Sequence, residues 1–139
     1  MTKTIAIIGT LDTKADDFAF LKRVIEEQGC HTLVINVGVL GAPGFAPDIS
    51  AETVALAAGE SLGALVTEHD RGRALDVMTR GAAIVARQLF DEGRFDAIIS
   101  MGGGGGTAVG TSAMRSLPIG VPKVMVSTLA SGDTAALAR

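Results

Sequence analysis

The chain has 139 residues, 47% of them hydrophobic, a formal net charge of −3 and one cysteine. That is long enough for one domain with a real core and too apolar for disorder. The mildly acidic balance without a basic block argues against nucleic acid, no apolar run reaches membrane-span length, and the lone Cys30 excludes an internal disulfide and fits a reducing cytoplasm.

Residues 4–8, Thr-Ile-Ala-Ile-Ile, read as a strand covered on both faces of a parallel sheet. No signal-peptide pattern precedes it. It ends in Gly9-Thr10-Leu11-Asp12-Thr13-Lys14. A helix over 15–28 follows, its apolar face formed by Phe18, Leu21 and Ile25 with Phe20 and Val24, and Gly29 placed to stop it. The second strand is 32–36. The irregular stretch 37–49 carries Gly38, Gly41, Pro43, Gly44 and Pro47, and loops of that length in compact domains are usually functional or disordered. Ser50 caps a short helix ending near Ala58, before Gly59. Residues 59–69 show no clear pattern.

The longest helix is expected over 71–92, between an N-cap at Asp70 and a stop at Gly93. Leu75, Met78, Ala82, Val85 and Leu89 give it one apolar stripe. The third strand, 97–100, leads into Met101 and the five consecutive glycines Gly102, Gly103, Gly104, Gly105 and Gly106, after which a helix is expected over 107–116. Pro118-Ile119-Gly120 is a turn, 123–127 a fourth strand, and Thr128 to Thr134 a loop before a last helix that is cut off at Arg139. Alternating strands and helices predict a Rossmann-like α/β fold: an open parallel sheet of about four strands, order 2-1-3-4, with helices on both faces. The interrupted last helix suggests an incomplete, N-terminal part of a longer protein.

In such sheets the ligand lies beyond the carboxyl ends of the strands. Three strand-end loops rich in Gly, Ser, Thr and Asp would emerge there together: 9–14, 102–107 and 127–134. Glycine amides before a helix suit an anion, usually a phosphate. Hydroxyls at Thr10, Thr13, Thr107, Ser131 and Thr134 and the amine of Lys14 suit phosphate oxygens, while carboxylates at Asp12 and Asp133 suggest Mg²⁺. Either carboxylate could instead cap the helix that follows it. Arg71 or Arg73 could reach a phosphate or a substrate carboxylate. No P-loop pattern occurs. Gly103-x-Gly105-x-x-Ala108 fits the loose dinucleotide pattern, but no acidic residue about 20 positions later is there to hold a ribose.

Four stretches carry a resemblance: 9–14 (Gly-Thr-Leu-Asp-Thr-Lys), 70–74 (Asp-Arg-Gly-Arg-Ala), the glycine loop 102–107, and 127–133 (Ser-Thr-Leu-Ala-Ser-Gly-Asp). With these motifs in this order the chain resembles the Tm-one-like ATP-binding family, over essentially its whole length. The family comprises uncharacterised bacterial and fungal proteins and the N-terminal part of a plant tobamovirus-resistance protein. The resemblance implies an ATP-binding region, with ATP held by the strand-end loops, at the start of a longer chain that continues into a second α/β subdomain. It implies ATP binding rather than a particular reaction. The expected nucleotide contacts are Gly9, Thr10, Asp12, Thr13, Lys14, Gly102 to Thr107, Ser131, Gly132, Asp133 and Thr134, with Arg71 on a substrate and Mg²⁺ on Asp12 and Asp133. ATP hydrolysis or phosphoryl transfer, a non-catalytic sensing or assembly module, and binding of another phosphorylated metabolite remain alternatives. Self-association, or packing against the remaining polypeptide, is also expected.

Overall fold

The computed structural model describes residues 2–131. Four parallel strands, β1 (Thr4–Gly9), β2 (His31–Asn36), β3 (Ala97–Gly102) and β4 (Lys123–Ser127), form one sheet in the order β2-β1-β3-β4. Ile7 pairs with Val34 on one side and Ile99 on the other, and Ile99 with Val124. The sheet and its strand order are as the sequence predicts.

Helix α1 (Ala15–Glu27) connects β1 to β2 on one face of the sheet. There Phe18 is fully buried with Ile7, Leu11 and Val34. Gly9 lacks a Cβ where one would strike the Phe18 ring, so packing alone accounts for that glycine. The opposite face carries α2 (Ala51–Ala57), α3 (Leu62–Glu68), α4 (Arg71–Asp91) and α5 (Gly104–Arg115). They enclose the larger core, in which Ala6, Ile8, Leu33 and Ile35 meet Val54, Val77, Met78, Val109 and Ala113. The chain moves one way across the sheet through α1 and the other way through α4 and α5. Right-handed crossovers therefore put these helices on opposite faces.

The expected caps form. The hydroxyl of Ser50 accepts from the Thr53 N–H at 3.2 Å, and the Asp70 carboxylate from the Arg73 N–H at 3.0 Å. Gly29, Gly59 and Gly93 follow α1, α2 and α4 with positive φ, the conformation that ends a helix at least cost.

Four details differ from the sequence expectation. Residues 62–68, without a clear pattern, form α3, capped by Ser61 and anchored by buried Leu65. Strand β3 runs on to Gly102, and α5 starts at Gly104 instead of Thr107. Residues 128–130 form a 3₁₀ turn. Finally, Leu75 and Phe20 leave their expected core stripes and stand 39% and 59% exposed. The last helix expected after Thr134 lies outside the described residues.

Candidate functional site

The loops after β1, β2 and β3 meet at one edge of the sheet, where the strand order reverses between β1 and β3. The glycine stretch is mostly helix. Gly103 is the N-cap residue of α5 and offers no side chain, and Gly104, Gly105 and Gly106 form the first turn. The first bond closing the helix runs from the Thr107 N–H to the Gly103 carbonyl at 2.9 Å. Among the described residues, no acceptor meets the amides of Gly104, Gly105 or Gly106.

These glycines divide into two kinds. A Cβ on Gly102 would lie 2.9 Å from the Gly106 Cα, so the close approach of β3 to α5 requires that glycine. A Cβ on Gly104 meets nothing, and on Gly105 or Gly106 it makes only ordinary contacts at 3.8 and 3.6 Å. None of the five has positive φ. Glycine is the poorest helix former after proline, so three open glycines in a first turn are not explained by the fold.

Gly105 and Gly106 face a cleft of about 260 Å³ between the loops after β1 and β2 and the start of α4. Its polar rim is Thr10, Asp12, Thr13 and Arg71; its walls are Val37, Val39, Leu40, Ala74, Leu75, Met78 and Val109. Exposed Leu75 is thus a wall of this cleft. The Thr13 hydroxyl donates to the Thr10 hydroxyl at 3.1 Å. Asp12 does not cap α1. One carboxylate oxygen accepts from the Thr13 N–H at 2.8 Å and the other from the Leu40 N–H at 2.7 Å, tying the long loop to the end of β1. Gly38 gives that carboxylate room, since a Cβ there would overlap it.

The composition gave no hint of Asn36. Buried at the end of β2, its side-chain oxygen accepts from the Leu11 N–H at 3.1 Å and the Gly38 N–H at 3.0 Å. One amide thereby fixes both loops that wall the cleft. A polar residue closing an apolar strand before a Gly-containing loop is the only sequence signal for it.

The two arginines at the start of α4 part company. Arg73 bonds Glu60 at 2.9 Å and Glu68 at 2.8 Å, and hydrogen bonds to these carboxylates, with their charge, hold its guanidinium above its ordinary pKa. Arg71 lines the cleft and has no ion-pair partner among the described residues.

Lys14 stands elsewhere. It shares a second cleft, of about 500 Å³, with Asp17, Phe20, Met101, Gly102, Val126, Ser127, Thr128 and Ser131. Thr107 spans from α5 to β4, its hydroxyl 2.6 Å from that of Ser127, and the Ser131 hydroxyl donates to the Thr128 carbonyl at 2.7 Å. The glycine turn stands between the two clefts, with Gly102 lining one and Gly105 and Gly106 the other. Gly132, Asp133 and Thr134 lie outside the described residues. Among those described, no group of three or more His, Cys, Asp or Glu side chains could hold a metal. Asp12 could ligate Mg²⁺ only beside oxygens from a ligand or water. No helix among the described residues is long and apolar enough to cross a membrane.

A doubly wound parallel sheet with both clefts at the strand-order reversal defines an α/β domain of Rossmann-like architecture. The chain belongs to the uncharacterised protein family UPF0261, whose N-terminal domain matches residues 3–138. A UPF0261 protein of Clostridium tetani is 49% identical over 134 residues, 96% of this chain and 33% of its own length. One from Rhizobium meliloti is 44% identical over 131 residues, 94% of this chain and 32% of its own. The ToMV resistance protein Tm-1(GCR237) of Solanum lycopersicum is 31% identical over 144 residues, covering 91% of this chain and 19% of the plant protein. The chain thus spans about a third of the length of these bacterial relatives.

Proposed function

We propose that this domain binds a nucleotide, ATP, with its phosphates on the first turn of α5. One observation carries the reading: among the described residues no acceptor meets the amides of Gly104, Gly105 and Gly106, and no described neighbour demands glycine there. Side chains at these positions would stand where a phosphate chain must approach the amides. The helix dipole adds to the attraction for an anion.

The base is assigned to the first cleft, between Val39, Leu40, Leu75, Met78 and Val109, without an aromatic partner. Arg71, Thr10 and Thr13 rim that cleft and are assigned to the sugar and inner phosphates. Lys14, on the far side of the glycine turn, is assigned to the outermost phosphate, with Ser131 beside it. In this reading Mg²⁺ arrives with the nucleotide and takes Asp12 as a ligand, because the described residues supply no cage of their own. Cation and amine would then offset charge developing on a transferred phosphoryl group.

A binding module without turnover is the second reading. It is favoured by the first cleft, where the one carboxylate among the described residues, Asp12, is held by two backbone N–H groups in a structural role. Isothermal titration with ATP and AMP, with and without Mg²⁺, followed by phosphate-release assays, separates these readings. ATP binding tighter than AMP, strengthened by Mg²⁺, is expected, and phosphate release distinguishes enzyme from module. Absence of binding by either nucleotide would sink both.

A further inference from the structure

Among the described residues, the face of the sheet that α1 occupies is only half covered. Helix α1 packs over β1 and β2, and beside it β3 and β4 turn Ile99, Met101, Val124 and Val126 to the same side. Val124 and Val126 are 50% and 53% exposed, and Phe20, which shares the second cleft with Val126, is 59% exposed. Side chains of this size pointing from a central sheet to solvent form a contiguous apolar patch, and such patches mark contact surfaces.

Winding the sheet outward beyond β4 does not cover it. A strand added outside β4 moves the chain the same way as β3 to β4, and a right-handed crossover then sets its helix on the α4–α5 face. Cover comes instead from a crossover that returns toward the β2 edge, or from polypeptide outside this sheet. Such polypeptide exists in the family, because the matched region is the N-terminal domain and this chain spans only about a third of the bacterial relatives.

We infer that the apolar face of β3 and β4 is the seat of the polypeptide that follows this domain in the full-length protein. A segment seated on Phe20, Met101 and Val126 would also roof the second cleft, bringing groups from outside this domain next to Lys14. The cleft residues and the docking face are contiguous, so the second cleft becomes a site between two parts of one chain. The inference stands on the uncovered face and does not need the nucleotide reading.

The test uses the protein expressed from its complete reading frame, with Val126 replaced by the photo-cross-linking amino acid benzoylphenylalanine and no nucleotide added. After illumination and digestion, the expected product is an intrachain cross-link from position 126 to a peptide beyond residue 139, at monomer mass. A cross-link to a second copy, to residues 1–139 of the same chain, or to nothing would overturn the inference. The substitution Val126→Asp in the same full-length protein is the control on folding. It should keep the circular dichroism spectrum while protease cuts the junction after this domain faster than in wild type. An unchanged cleavage rate in a folded V126D protein would also count against docking here.

Discussion

At the residue scale the site separates side chains that the sequence makes look equivalent. Arg71 and Arg73 lie two apart at the start of one helix, yet Arg73 is held by Glu60 and Glu68 and only Arg71 faces the first cleft. Arg71→Ala should weaken ATP about tenfold, the loss of one charge-assisted contact, while Arg73→Ala leaves affinity unchanged; titration calorimetry of both variants decides. Unchanged affinity in Arg71→Ala would mean that Arg71 contributes no contact. Lys14→Ala should weaken ATP more than AMP, by roughly ten- to a hundredfold for ATP, if its amine meets the outermost phosphate. Equal loss for both nucleotides would remove Lys14 from that role. Asn36→Ala strands the buried N–H groups of Leu11 and Gly38 and should cost about 2–4 kcal/mol in urea unfolding. A loss under about 0.5 kcal/mol would show that solvent or a shifted loop replaces the amide.

At the element scale, the start of α5 shows where sequence reading stops. Five glycines carry the lowest helix propensity short of proline, so the pattern locates the helix at Thr107, three residues late. A glycine-rich junction between β3 and a helix was legible from the sequence, but not which of the glycines the fold requires. That distinction needs the neighbour of each absent Cβ: backbone at Gly102 and open space at Gly104. It yields a prediction with two signs. Gly102→Ala should destabilise the domain by roughly 1–3 kcal/mol, because the new methyl group meets backbone that cannot move cheaply. Gly104→Ala should stabilise it by up to about 1 kcal/mol while weakening ATP. Thermal unfolding and titration on the same preparations check both, and destabilisation by Gly104→Ala would mean that the turn itself needs glycine. Helix α3 was illegible for another reason: it is seven residues long and buries only Leu65, too little to set a period.

At the scale of the whole molecule, the sheet order was legible because each strand is a short, nearly unbroken apolar run followed by turn chemistry. The three strand-end loops, the last as far as Ser131, were rightly expected at one edge, but their division into two clefts was not. The loop after β1 leads into α1 on one face, whereas the loop after β3 leads into α5 on the other. Lys14 follows the first path and the glycine amides the second, so the two sides of the site are drawn from opposite layers. Asp12 and Asn36 join the loops on the α5 side, giving the first cleft fixed walls before any ligand arrives. Where ligand walls are fixed in advance, less ordering cost falls on binding.

The central claim is that the open glycines of α5 exist for an anionic ligand. The most direct measurement is calorimetric titration of ATP into wild type and Gly105→Val, with circular dichroism of both. A valine Cβ at position 105 would make only an ordinary contact with Leu75, so the fold should persist. Its branches would stand over the first-turn amides and block the phosphates. Wild type is expected to bind ATP, and a folded Gly105→Val protein to lose that binding. Wild-type affinity in that variant would contradict the claim.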